Sequence, residues 1–542
     1  MKKYLIIISL FFSFFIIFCI FFFSKEYFLS LLVENLSLQN KKEWIKKRFF
    51  VDNIWQTIQI LMIIFLFLWN IFLYFWKINI ENITFFIKNI IQFYTSQPKK
   101  EQIFFIFFLI LSIFPAFINL FFFPYLIDEV FAYTFLLQKG FLGIYPYYPG
   151  PNQHILFHLG SYFFSFTYIF SQNPILYLRF FTFFGFFLSI ISVGFWVWKR
   201  KNIDLSVISM LSFAYFPPIL VYSFLGRGYS WQIFFTILQF YFLLKLSKKE
   251  KNITEKNDIY NFILVNVLGM CIIPTHLFVI GSAGMYLFFR LKLKKTIFIF
   301  SKIFLFTALF YLPVLFFNGF SVVLQNNWVK SLEKNNFFLS IFSYIIRFFD
   351  YLFADFGIYF LVIFIFFSIY SYKKINIEHK KIIFFYILFP ILFCFSRFIL
   401  PPERVFSYFL IGFLYIFIQF LDMFDKKNIY LFLIIPLFFL FFHIYLYPKN
   451  SQSYQFTKQI IEKYSSKKIK VFANQDEYQV FFRYFCLKNQ IKIEIETQNF
   501  DFNLKYNYVI FDKKIYNTQK YSLKNYQKIF ENDEIIAFDL VY

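Results

Sequence analysis

The chain has 542 residues, 60% of them hydrophobic, and a formal net charge of +24. Soluble domains are about 45–50% apolar, so this composition excludes an ordinary soluble protein. It also takes the basic charge away from nucleic acid, because most lysines stand in short blocks between apolar stretches, the pattern of membrane loops.

Taken in chain order, the first apolar stretch covers 4–24. It exceeds the ~7–15 apolar residues of a signal peptide and no small-x-small cleavage site follows, so it reads as an uncleaved anchor helix. With ~20 apolar residues per crossing, further spans fall at 54–76, 102–124, 174–198, 203–222, 229–246, 259–275, 276–290, 296–317, 353–371, 381–399, 404–423 and 428–448, thirteen in all, with 259–290 split at Pro274. Placing the N-terminus in the cytoplasm puts most basic loop residues on the inner side. The loop 25–53, with Lys25, Lys41, Lys42, Lys46, Lys47 and Arg48, is discordant and reads as containing an amphipathic surface helix. His154–Ser171 is apolar, but counting it as a crossing would move the Lys199–Lys201 block outside. It is therefore an interfacial or re-entrant helix on the outer side, and 318–352 is an outer loop.

After Pro448 the composition shifts to charged helix-like and strand-like patterns. Helices over Gln452–Tyr464 and Glu477–Leu487, with strands over Ile469–Ala473, Ile491–Glu496, Tyr508–Phe511 and Ile535–Leu540, make a small α/β domain. The organisation is thus an N-terminal two-span extension (1–100), a transmembrane domain (101–448) and a soluble extracytoplasmic α/β domain (449–542). Cys19, Cys271, Cys394 and Cys486 form no CxxC or zinc-like spacing, so neither a disulfide framework nor a structural zinc is expected.

The unusual polar residues gather at the outer ends of the spans. Asp128-Glu129 follows the 102–124 span; two adjacent carboxylates there suit a general base or a metal site, or simply cap a helix. The stretch from Tyr145 through Tyr148, Asn152 and His154 to His158 is a Pro- and Gly-stiffened turn whose Tyr and Asn suit a sugar or a headgroup. His154 and His158 share a helical face at i, i+4, a weak metal signal by itself. Gly226-Arg227-Gly228-Tyr229 lets an arginine approach a phosphate closely; the plainer reading is a snorkelling arginine. Thr275-His276 puts an ionisable group at membrane depth. Arg397 with Glu403-Arg404 completes the set. Acids, histidines and arginines on one face suit a lipid-phosphate substrate, its phosphate among Arg227, Arg397 and Arg404 and its tail in the bilayer.

The order of Asp128-Glu129, Asn152-Gln153-His154…His158, Tyr177-Leu178-Arg179, Gly226-Arg227-Gly228-Tyr229, Thr275-His276 and Arg397…Pro402-Glu403-Arg404 resembles the GT-C glycosyltransferases, in the bacterial protein-mannosyltransferase-like and aminoarabinose-transferase-like branch. The resemblance covers roughly 100–450. It implies an α-helical polytopic membrane protein of the cytoplasmic membrane. It implies a hexosyl- or pentosyltransferase that moves a sugar from a polyprenyl-phosphate donor to a glycan, lipid or protein acceptor on the extracytoplasmic face. It maps the catalytic acid onto Asp128, with Glu129 beside it, and leaves Tyr148, Asn152, His154, His158, Tyr229, His276 and Glu403 to bind substrate. No cofactor is assigned; a divalent cation held by Glu129 and His276 stays open. The two N-terminal spans depart from the family pattern. A transporter or flippase of lipid-linked glycans is the alternative from another class, and a glycan polymerase the alternative with similar chemistry. The largely apolar mid-span positions speak against the transporter.

Overall fold

The structure is a computed structural model. It describes residues 24–35, 90–145, 153–165, 175–247, 253–318, 332–446, 452–463, 468–497, 505–513, 526–531 and 535–540, with scattered positions elsewhere. The expected spans 4–24 and 54–76 lie almost wholly outside the described residues, as do Tyr148 and Asn152. The chain divides into two compact units, one of Met1–Phe121 with Lys139–Tyr447, the other of Phe122–Gln138 with Pro448–Tyr542.

The described residues of the first unit form helices joined by turns, because apolar runs in a membrane can satisfy their backbone groups only within a helix. Its helices are α1 (Lys99–Phe122), which ends at the unit boundary, and, passing over α2 of the second unit, α3 (Ile155–Phe163), α4 (Leu176–Arg200), α5 (Ile203–Tyr215), α6 (Pro217–Tyr222), α7 (Tyr229–Leu246), α8 (Ile253–Ile272), α9 (Leu277–Arg290), α10 (Leu293–Asn318), α11 (Lys334–Phe353), α12 (Gly357–Ser371), α13 (Ile377–Arg397), α14 (Phe409–Leu421) and α15 (Ile434–Leu446). Among the described residues five helices are long and apolar enough to cross a membrane: α1, α4, α13, Leu293–Leu315 of α10 and Asn335–Phe353 of α11. The protein is a membrane protein.

The interruptions have local causes. Phe216 is extended (ψ 130°) ahead of Pro217-Pro218, which start α6, so the stretch 203–222 is two helices. Ile273 is extended (φ −153°) ahead of Pro274, and a 3-10 turn over Pro274–His276 separates α8 from α9, the split expected at Pro274. Asn202 caps α5 by accepting from the Leu205 N–H at 2.8 Å. Helix α3 has 9 residues; at 1.5 Å per residue it is about 14 Å long, well short of a ~30 Å bilayer core. A helix also stands in the discordant basic loop, over Lys25–Asn35, with Leu29 and Val33 buried.

Two sequence expectations need correction. The outer loop assigned to 318–352 contains the 20-residue helix α11. Arg347 and Asp350 interrupt its apolar run, which hides it from a hydropathy reading. The interior is also less uniformly apolar than expected. Gln239 on α7 donates to Asn266 on α8 at 2.5 Å, the Tyr386 hydroxyl on α13 donates to Gln239, and Asn266 donates to the Phe262 carbonyl at 2.7 Å. Each member of this seam has a partner, so it ties three helices together.

The second unit holds α2 (Ile127–Phe135), α16 (Gln452–Lys463), α17 (Asp476–Lys488) and strands β1 (Lys468–Ala473), β2 (Lys492–Glu496), β3 (Tyr508–Asp512), β4 (Tyr526–Glu531) and β5 (Ile535–Leu540). The sheet order is β2-β1-β3-β5-β4. β1 pairs in parallel with β2 and β3, with α17 as the crossover from β1 to β2, and β5 pairs antiparallel with β3 and β4. The expected small α/β set is present, with β4 added. Its core is Phe472, Tyr506, Val509, Phe511, Ile536 and Phe538. Helix α2 packs on α17: the Tyr484 ring lies 6.5 Å from Tyr125 and 6.2 Å from Tyr133, both edge-on. The segment carrying Asp128-Glu129 therefore belongs to the same compact unit as the C-terminal sheet.

Candidate functional site

Arg227 occupies the turn between α6 and α7. Its flanking glycine Gly228 is required by close approach: a Cβ there would stand 3.1 Å from His154 Nδ1 and 3.2 Å from the Ile272 carbonyl oxygen. The turn is tied to α4, where the Thr182 hydroxyl donates to the Arg227 carbonyl at 3.3 Å. Ser230 donates to the Tyr222 carbonyl and closes the turn from below. Arg404 stands in a 3-10 turn over Glu403–Phe406 that leads into α14, and the Ser407 hydroxyl donates to its carbonyl at 2.8 Å.

These two arginines, far apart in sequence, both interact with the hydroxyl of Tyr229 at the start of α7, which draws up both guanidinium groups. Burial, reinforced by the Arg404 charge, pushes Arg227 down to about 10 against the pull of Tyr229, so it stays charged at neutral pH. Burial would lower Arg404 as well, but Tyr229, Tyr222 and Tyr351 outweigh it and raise the group. Tyr222 stacks obliquely on Tyr229 with ring centroids 4.6 Å apart. The Tyr351 hydroxyl is 3.0 Å from Ser407 Oγ and interacts with Tyr222. Tyr222, Tyr351 and Ser407 were not marked by the sequence; Tyr351 lies on the unforeseen helix α11.

The histidine pair adjoins this cluster. The His154 ring centroid is 6.2 Å from Tyr229 and 6.2 Å from His158. Both rings are buried, and the Nδ1 of each has no hydrogen-bond partner among the described residues. Burial, then the Arg404 charge, drives His154 down to about 4, and burial, then His154, holds His158 well below its ordinary value. Both are neutral near pH 7. Helix α3 is held in place by Ile155 against Val314 of α10, with Tyr145, Phe310 and Tyr311 around them. Tyr145 donates to the Phe310 carbonyl at 2.9 Å.

The remaining expected residues have other surroundings. Arg397 ends α13 on the surface, and Phe398 behind it takes a left-handed conformation (φ 51°) that turns the chain. His276 is fully buried, both ring nitrogens lack hydrogen-bond partners among the described residues, and its ring fills the space a Cβ at Gly269 would need. Glu403 pairs with Arg347 at 3.5 Å. In the second unit, Glu129 is buried and accepts from the Leu126 N–H at 3.1 Å, the helix-capping role weighed for it. Asp128 beside it is half-buried. No group of three or more His, Cys, Asp or Glu able to hold a metal occurs among the described residues. Arg179 is fully buried and donates to the Leu120 carbonyl at 3.0 Å, closing the last turn of α1.

No protein family matches the chain in sequence, and no curated protein does. In structure it is similar to ArnT from Cupriavidus metallidurans in the apo state, with a TM-score of 0.57 over 80% of this chain and 97% of that chain, at 9% identity. The fold is shared with ArnT. A second ArnT structure from the same organism, bound to undecaprenyl phosphate, aligns over the same shares at a TM-score of 0.41 and 9% identity. The ArnT likeness is one of fold, and the chemistry rests on the residues described above.

Proposed function

We propose that the protein is a membrane glycosyltransferase that moves a sugar from a polyprenyl-phosphate donor to an acceptor on the extracytoplasmic face of a cytoplasmic membrane. The observation that carries this reading is the convergence of Arg227 and Arg404 on the Tyr229 hydroxyl. Two guanidinium groups brought together repel each other, and an anion between them relieves that repulsion. A phosphate monoester on a lipid has the right charge for the site, and the apolar helices around it suit the lipid tail.

In this reading Arg227 and Arg404 hold the donor phosphate and stabilise its growing charge as the anomeric C–O bond breaks. The neutral imidazoles of His154 and His158 bind sugar hydroxyls without adding charge. Asp128 takes the proton from the acceptor hydroxyl or amine as it attacks the anomeric carbon, and direct displacement inverts that centre. Glu129 holds the helix start beside it. The chain crosses the membrane many times, with its N-terminus in the cytoplasm. A monophosphate leaving group makes a divalent cation less necessary than a diphosphate would. The shared fold with ArnT supports the reading.

The test is sugar transfer in membranes from polyprenyl-phosphate donors. Arg404→Ala and Asp128→Asn are each expected to lower the rate by about 10²-fold or more, while the exposed Lys294→Ala stays at the wild-type rate. Transfer that survives Asp128→Asn would remove the base assignment. Binding and translocation of the lipid with no transfer to any acceptor would point instead to a flippase.

A further inference from the structure

One face of helix α11 reads along the segment that carries Arg404. Residues 344, 347, 348 and 351 follow an i, i+3, i+4, i+7 spacing and so share a face. The buried Tyr344 hydroxyl donates to the Pro401 carbonyl at 2.6 Å. Arg347 Nε lies 3.5 Å from Glu403 Oε1. The Phe348 ring sits 6.1 Å from Phe406 and 5.7 Å from Phe409. The Tyr351 hydroxyl is 3.0 Å from Ser407 Oγ. Just ahead of the helix, the Leu332 N–H donates to the Phe398 carbonyl at 2.8 Å. Helix and segment thus run in register on either side of Arg404.

We propose that α11 is the positioning element for Arg404, with Tyr344 and Tyr351 fixing the turn and Arg347 occupying the neighbouring carboxylate. The last contact has a specific consequence. Glu403 is next to Arg404 in sequence, and a free carboxylate there would compete with any anion for the Arg404 guanidinium. Arg347 is 64% exposed, so its ion pair adds little stability. What it does is commit the Glu403 charge elsewhere. Among the described residues no carboxylate pairs with Arg404; its charge meets Tyr229, Tyr222 and Tyr351. The inference rests on the reading of Arg404 as an anion ligand.

The experiment measures the affinity of the purified full chain, in detergent, for a polyprenyl monophosphate, with the thermal midpoint followed in parallel. Arg404→Ala is expected to weaken binding by about tenfold or more. Tyr344→Phe and Arg347→Ala are expected to weaken it about three- to tenfold, the effect of one hydrogen bond or charge contact, without lowering the fraction of protein that binds. Arg347→Lys, which keeps the ion pair, stays near wild type. Arg347→Ala combined with Glu403→Gln recovers the affinity that Arg347→Ala loses, a result a purely structural role does not produce. If Arg404→Ala binds normally, the anion-ligand reading itself fails. If Arg404→Ala binds weakly while Tyr344→Phe and Arg347→Ala bind like wild type, only the positioning role is overturned. Loss of folded protein at unchanged affinity, or no recovery in the double variant, overturns it too.

Discussion

Arg227 and Arg404 reach the same phenol hydroxyl, that of Tyr229, from two turns held on different helices. Tyr229 is 4% exposed, so its hydroxyl meets the two charges in a poorly solvated place. The first prediction follows from this. Tyr229→Phe removes the shared acceptor and keeps the ring. It is expected to weaken donor binding about three- to tenfold, the loss of one or two hydrogen bonds to charged groups, as a rise in KM for the polyprenyl-phosphate donor. An unchanged KM would mean that the two arginines are held apart by other contacts.

The glycine beside Arg227 gives the second. A Cβ at Gly228 would meet the Ile272 backbone oxygen at 3.2 Å and the His154 ring at 3.1 Å. The His154 ring and the Ile272 carbonyl must each give by a few tenths of an ångström, so Gly228→Ala is expected to shift the Arg227 turn at a cost of about 1 kcal/mol in stability. Thermal unfolding in detergent checks the cost, and donor affinity checks the displacement. A variant as stable and as active as wild type would show that the turn has slack.

The third concerns pH. His154 is held down to about 4 in the fold and titrates near 6.5 when unfolded. Its neutral form is favoured by folding, so it contributes fully above about pH 6.5 and its contribution falls as the pH drops toward 4. At pH 5 that loss is about 2 kcal/mol. The thermal midpoint should fall between pH 7 and pH 5, and His154→Gln, which cannot take up the proton, should flatten that slope. Identical slopes in the two proteins would clear His154 of the effect.

The fourth concerns α2. Its packing on α17 through Tyr484 predicts that Tyr484→Ala loosens the segment carrying Asp128. The lost aromatic burial costs the second unit about 3–5 kcal/mol. Limited proteolysis between 122 and 138 should speed up, and transfer should fall even though 484 lies far along the chain from the acid. Unchanged cleavage there would separate the two segments functionally.

Much of the architecture was legible in the sequence because its causes are local. Apolar runs longer than ~20 residues demand helices in lipid, prolines at 217, 218 and 274 break them where the backbone cannot continue, and period-two patterns after Pro448 mark strands of the sheet. The residues at the outer helix ends were also legible, as arginine between glycines and histidines four apart. Helix α11 was not, because Arg347 and Asp350 lower its hydropathy although both sit at the edge of its packed face. Strand β4 escaped for a related reason: it is an edge strand with an exposed, charged stretch, so it shows little alternation.

By itself, then, the sequence determined a helical membrane protein with a small α/β tail and a short roster of polar candidates. Which of those candidates meet was decided by tertiary structure alone. Arg404 joins Arg227 because α11 holds its turn and Tyr229 offers one oxygen to both. Arg397, only seven positions earlier, ends a helix and is turned outward at Phe398. Asp128-Glu129 folds with a C-terminal sheet more than three hundred residues away in the chain. Composition and periodicity report what each segment needs from its own neighbours; the pairing of two charges or the docking of two distant segments depends on contacts that no local pattern encodes.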